Sequence, residues 1–316
     1  MNFSINTNTA AGNARRHLGM NNFHLKNSMT RLSSGQKIVQ PYEDAGGHAV
    51  AFKLNSTMGR SEKVLHNISN AISLLDVQDG VLSGVGEIVD RMAELKSLYH
   101  DVIMNDNDRE SYDKEFKELQ VQLYDMAQTK YNGISLFARY TEVKGSVDGV
   151  FGGSPAQSNR IMVNLSADGD DTVVASINKS LLLSALTIHA STLDSDEYGN
   201  ADQSNIFRFA NKDSSGTGVD ALMSLADVSV GVFAQGLQNI ASLRAENGAS
   251  SSQLQYGFEN LSKQKTNMEA GVGRIMDVDV ARESTRLAKY NVLVQASASM
   301  LSQANGLSEV ALVLMR

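Results

Sequence analysis

The stretch Ile275–Arg316, IMDVDVARESTRLAKYNVLVQASASMLSQANGLSEVALVLMR, decides the fold. It has no Pro and one Gly, Gly306. Apolar residues fall at Leu293, Ala296, Met300, Ala304, Leu307, Ala311 and Leu314, with steps of 3, 4, 4, 3, 4 and 3. That spacing marks one face of an α-helix. A second stripe, Leu287, Tyr290, Val294 and Leu301, occupies a neighbouring face. A helix with two apolar faces needs two partners, because one side left in water would expose apolar surface.

The mate expected for one face is the N-terminal segment. Ala11, Ala14, Leu18, Leu25, Met29 and Leu32 step by 3, 4, 7, 4 and 3, an amphipathic helix ended by Ser33-Ser34-Gly35. Gln36 to Gly47 lacks helical period and contains Pro41, so it is read as irregular, with Asp44 as the N-cap of the next helix. That long helix is expected from about Gly47 to Met104, with Leu65-Ile68-Ile72-Leu75 and Leu82-Val85-Val89-Met92 both spaced 3, 4, 3. Asn105 to Asp108 form a turn and cap cluster before a shorter helix to about Lys130, and Asn132-Gly133 is a tight-turn signal.

Residues 141–218 differ in kind. They are rich in Gly, Ser, Asp and Asn and carry the β-prone runs Ile161-Met162-Val163, Thr172-Val173-Val174 and Ile206-Phe207-Arg208-Phe209. Leu181 to Ile188 reads equally as helix or strand. Helical period then resumes in Phe233-Leu237-Ile240, Leu254-Phe258-Leu261 and Met268-Val272-Ile275, whose starting positions lie whole heptads apart. The fold expected is mainly α: an elongated antiparallel long-helix bundle or coiled coil formed by the two chain ends, with a small β-rich or mixed inserted domain.

Composition bounds the function. The chain has 316 residues, net charge −7, two Pro, no Trp and no Cys. Absence of Cys excludes disulfide frameworks, thiolate metal sites and cysteine nucleophiles. The acidic balance argues against nucleic acid or an anionic membrane as partner. No charged-then-apolar leader and no apolar run of about 20 residues is visible, so neither a signal peptide nor a membrane span is expected. The histidines His17, His24, His48, His66, His100 and His189 include no H-x-x-x-H pair, and Asp168-Gly169-Asp170-Asp171 reads as a turn before a cation site. No catalytic, cofactor or metal residues are nominated, and the chain is read as a non-enzyme.

Terminal helices with uncovered faces are either covered by other copies of the same chain or wait disordered until they meet them, and identical subunits that meet head-to-tail without closing build a helical filament. Leu18, Leu25, Leu32, Leu293, Met300, Leu301, Leu307 and Leu314 are the candidate self-assembly residues.

The motifs Ile5-Asn6-Thr7-Asn8, Met29-Thr30-Arg31-Leu32-Ser33-Ser34-Gly35-Gln36-Lys37-Ile38, Glu43-Asp44-Ala45-Gly46-Gly47, Tyr131-Asn132-Gly133, Arg274-Ile275-Met276-Asp277-Val278-Asp279, and Gln295-Ala296 through Met300-Leu301-Ser302-Gln303-Ala304-Asn305 stand in this order along the chain. Together they resemble bacterial flagellin. The resemblance covers about residues 1–140 and 225–316. It implies a flagellar filament subunit, with a hook–filament junction protein as the alternative. It further implies an inner coiled coil of residues 1–45 and 277–316, an outer bundle of 46–140 and 225–276, and a variable solvent-facing insert at 141–224. Export unfolded through the flagellar type III apparatus to the cell exterior is expected. So are a homopolymer and contacts with flagellar cap and hook-associated proteins and an export chaperone. Some flagellins host peptidase inserts, but this middle lacks H-E-x-x-H. Asp90 to Leu95 resembles the region that an innate immune receptor contacts in some flagellins, with Arg91, Leu95 and Glu115 as the matching positions. Two departures stand out: the end Gly306-Leu307-Ser308-Glu309-Val310 lacks a frequent proline, and Pro41-Tyr42 replaces small residues.

Overall fold

A computed structural model describes residues 8–137, 160–166, 174–178, 182–189, 206–209 and 222–314. Its elements are α1 (Thr9–Ser34), α2 (Ala45–Tyr99), α3 (Asp106–Ala127), β1 (Lys130–Tyr131), β2 (Ile134–Ser135), β3 (Arg160–Asn164), β4 (Val174–Asn178), α4 (Leu182–Ala185), β5 (Thr187–His189), β6 (Ile206–Arg208), α5 (Val230–Met276) and α6 (Val280–Leu314). The strands form three antiparallel pairs, β1–β2, β3–β4 and β5–β6. The mainly helical fold with a small strand-containing middle is as the sequence predicts. Two compact units result, Met1–Gly59 with Gln264–Arg316, and Arg60–Lys263.

In the first unit the ends of α1 and α2 are set by their caps. The Asn8 side chain accepts from Ala11 N–H, and Gly35 closes α1 at φ 70°, a left-handed conformation that glycine adopts without steric cost. Asp44 accepts from Gly47 N–H at 2.9 Å and so caps α2, as expected. The terminal helix starts at Val280, because Asp277 to Asp279 interrupt the helical run after Met276. Asp279 Oδ1 accepts from Arg282 N–H at 3.1 Å, giving α6 its own N-cap. The freed backbone is used: Lys37 N–H donates to Met276 O, and Val278 N–H to Gly35 O. The two chain reversals are thus stitched together as a short antiparallel bridge, Gln36 to Asp277.

The second unit is a packed core. Leu82, Val85, Val89, Met92 and Leu95 of α2 meet Phe116 and Leu123 of α3 and Val232, Phe233, Ile240 and Leu243 of α5. Asp79 and Arg244 join α2 to α5 by a two-pronged ion pair at 2.9 and 3.0 Å. Asn132 and Gly133 both take positive φ, 50° and 79°, and turn β1 into β2, the backbone that Asn-Gly hairpins favour.

The described parts of the middle belong to this core and do not form a unit of their own. Leu182, Ala185, Leu186, Ile188 and Phe209 are buried in it, with Phe209 stacked on Phe233 at 5.1 Å. Val163, Ala175 and Ile177 of β3 and β4 pack with Ile68, Leu75, Leu254 and Leu261 in a second cluster. The ambiguous run resolves into both alternatives, helix at Leu182–Ala185 and strand at Thr187–His189. Thr172 and Val173, and Asp168 to Asp171, lie outside the described residues.

The chain returning to α5 is held by polar side chains. Asp113 accepts from Leu225 N–H at 2.7 Å and Ser224 O–H at 2.9 Å, and Gln120 both donates to and accepts from Met223. Buried Lys96 donates to Leu225 O at 2.7 Å. Burial pushes the Lys96 ammonium below the ordinary lysine range, against the opposing pull of Asp227.

Candidate self-assembly surface

In the first unit α1 and α6 lie antiparallel, and their contact line has heptad spacing. On α6 the buried or half-buried positions include Glu283, Leu287, Tyr290, Val294, Ser297, Leu301 and Ala304, alternating steps of 4 and 3. On α1 they include Ala14, Leu18, Asn21, Leu25, Ser28 and Leu32, with the same alternation. This is a two-helix seam of the coiled-coil type. Leu18, Leu25, Leu32 and Leu301 lie on this line, each half-buried.

One line of the seam is polar. Asn21 Nδ2 donates to Ser297 Oγ at 2.8 Å and to Leu293 O at 3.4 Å, and Asn8 Nδ2 donates to Ala304 O at 2.9 Å. His24 stacks on Tyr290 at 5.1 Å. Buried Glu283 has Arg286 at 3.3 Å, and Arg31 meets Glu43 at the same distance. A cavity of about 410 Å³ lined by His24, Arg31, Glu43, Glu283, Arg286 and Tyr290, among others, lies at that end. A search confined to apolar residues misses Ser28, Glu283 and Ser297. Their seven-residue recurrence with Asn21, Tyr290 and Ala304 is the signal that finds them.

The other stripe of α6 stays open. Ala296 and Met300 are exposed and Leu293 is only half-buried. They line one side of a groove of about 700 Å³, whose α1 side includes Ala10, Asn13, Ala14 and His17. Met20, Phe23 and Met29 on α1 and Val292 on α6 are also exposed. Leu307 and Leu314 lie in α6, but their side chains fall outside the described ones.

On the second unit Arg91 is exposed and paired with Glu115 at 2.9 Å and Glu94 at 3.0 Å. Leu95 is 0% exposed and sits inside the core. The expectation that Leu95 offers a receptor contact is corrected on that ground: its side chain supports the helix from beneath. Among the described residues, no helix is long and apolar enough to cross a membrane.

Two family models match the chain. The bacterial flagellin N-terminal helical region covers residues 5–142, and the bacterial flagellin C-terminal helical region covers residues 230–315. The flagellin of Listeria monocytogenes is 30% identical over 302 residues, 95% of each chain. That of Bacillus subtilis is 28% identical over 317 residues, 99% of each. A crystal structure of Bacillus cereus flagellin aligns at TM-score 0.40 and 22% identity, covering 66% of this chain and 94% of that one. With both terminal regions matched and a relative aligned almost end to end, the chain belongs to the bacterial flagellin family.

Proposed function

We propose that this protein is the structural subunit of a bacterial flagellar filament, a homopolymer held together by its terminal helices. The observation that carries the reading is the open stripe Leu293, Ala296 and Met300 beside a seam that is already filled. An uncovered apolar helix face is stabilised by a further helix, and here a second copy supplies it. Leu18, Leu25, Leu32 and Leu301 build the intramolecular seam, while Leu293 and Met300 face the neighbouring subunit. Family membership supports the filament over the hook–filament junction, since the Listeria monocytogenes and Bacillus subtilis relatives are named flagellins.

The finer assignment rests on the family. Residues 1–45 and 277–316 form the inner layer, 46–140 and 225–276 the surrounding bundle, and 141–224 the variable part. The subunit is exported unfolded by the flagellar type III apparatus with a chaperone, and meets cap and hook-associated proteins outside the cell. Recognition by an innate immune receptor rests on Arg91 and Glu115 alone, and a receptor reporter silent toward purified monomer removes it.

The test is elongation. Purified full-length protein mixed with short filament seeds should lengthen them, as monitored by light scattering and electron microscopy. Protein that stays monomeric at high concentration with seeds present overturns the reading.

A further inference from the structure

Four methionine side chains among the described ones are exposed: Met20 at 53%, Met29 at 56%, Met300 at 69% and Met162 at 72%. Three of them lie on the terminal pair. Met300 lines the open groove. Met20 continues the α1 row of Asn13 and His17 that lines its far side, at steps of 4 and 3. Met29 comes directly after seam residue Ser28 and Met20 precedes seam residue Asn21, so each points about 100° away from the seam, in opposite directions. Thioethers suit such surfaces because they are flexible and adapt to a partner. They are also the side chains that a peroxide converts from apolar to polar.

We propose that Met20, Met29 and Met300 are oxidation sites of the unassembled subunit, and that their sulfoxides block its addition to the filament. The inference rests on the filament reading proposed for this chain. The oxidant is a hydroperoxide, with hydrogen peroxide as the simplest case. The sulfur lone pair attacks one peroxide oxygen, the O–O bond breaks, an S–O bond forms and water leaves. Sulfur loses two electrons and the peroxide gains them. The sulfoxide carries a strong acceptor oxygen into a surface that must lose water on contact with the next subunit, and an unpaired acceptor there is unfavourable. Oxidation reaches these three sulfurs before assembly and not after it. Met162, on β3 of the second unit, is the internal control.

Monomer is treated with hydrogen peroxide, sulfoxides are mapped by peptide mass spectrometry, and seeded elongation is measured. Treated wild type should carry sulfoxide at positions 20, 29, 162 and 300 and elongate at least tenfold more slowly. A Met20→Leu, Met29→Leu, Met300→Leu variant, whatever its own untreated rate, should show no further slowing on treatment, while Met162→Leu stays sensitive. Incubating treated wild type with methionine sulfoxide reductases should restore growth, an arm that decides the matter if the triple variant elongates poorly before treatment. In preformed filaments, only Met162 of the four should oxidise readily. Treated wild type that elongates at the untreated rate overturns the inference, as does a reductase that reverses the sulfoxides without restoring growth. Untreated protein that fails to elongate strikes the filament reading instead.

Discussion

Asn21 and Ser297 stand 276 residues apart in sequence and 2.8 Å apart in space, amide donating to hydroxyl across the α1–α6 seam. Ser297 Oγ passes the chain on, donating to Leu293 O at 2.6 Å. A hydrogen-bonded polar pair at a seam position has a defined consequence. It gives up some apolar burial and penalises any sliding of one helix along the other, since a one-heptad shift takes the Asn21 amide away from its Ser297 acceptor. The terminal pair is therefore fixed in register by polar chemistry and given its affinity by Leu18, Leu25, Leu287 and Leu301.

Asn21→Ala and Ser297→Ala should each weaken the pair by about 0.5–1.5 kcal/mol, the usual net value of one hydrogen bond. The double variant should fall short of the sum, because the two residues share one interaction. Amide hydrogen exchange along α1 in the full chain reads the effect locally. Full additivity would mean that the bond carries no energy.

The placement of Phe209 makes the middle segment part of the second unit's stability. Phe209→Ala removes a wholly buried ring stacked on Phe233 and should cost about 3–5 kcal/mol in guanidinium unfolding. If the middle were an independent appendage, the helical unfolding transition would not move.

Asp113 supplies the pH dependence. Burial raises its pKa, but bonds from Lys117, from Leu225 N–H and from Ser224 outweigh this and hold it below the ordinary value of 3.8. A carboxyl lowered in the folded state contributes stability that is fully present above its unfolded pKa. That contribution is lost as pH falls from there through the folded value. Asp113→Asn should therefore be less stable than wild type at neutral pH, by about 1 kcal/mol for the weakened bonds. The difference should shrink in the acid range, as unfolding midpoints measured against pH would show.

Gly236 faces Phe209, Ile188 and Val89 across α5, and an added Cβ would meet their side chains at 3.5–3.7 Å. That is ordinary contact. Gly236→Ala should stabilise the unit by about 0.5–1 kcal/mol through helix propensity. Gly236→Leu should destabilise it by about 1–3 kcal/mol through overpacking. Thermal melts of the two variants should move in opposite directions.

Much of this molecule is legible from spacing alone. Leu82, Val85, Val89 and Met92, read as a 3, 4, 3 stripe, are all buried. Asn132-Gly133 forms the expected turn, because its requirement for positive φ is local. What spacing hides is whatever tertiary context decides. Leu181 to Ile188 carries no period of its own, and its split into α4 and β5 depends on pairing with β6 and on Asn239 Nδ2 donating to Ala185 O at 3.0 Å. The break at Asp277 to Asp279 escapes a pattern that counts only apolar residues. Leu95 lies whole heptads after Val81 and Ile88, which pack against the same core, so its burial could have been read from that spacing and not from a motif.

Ala296 separates self-assembly from folding. It is exposed, lies on α6 between Leu293 and Met300, and lines the groove without taking part in the seam. Ala296→Glu places a carboxylate in the open stripe and leaves every seam residue in place. Because the site is a solvent-facing helix position, stability of the subunit should stay within about 0.5 kcal/mol of wild type. Addition to a filament, however, would bury that charge against an apolar neighbour without a partner, a cost large enough to stop growth. The expected outcome is a variant with wild-type circular dichroism that neither elongates seeds nor swims when expressed as the sole copy. Normal elongation by Ala296→Glu would show that the open stripe of α6 is not where the next subunit binds.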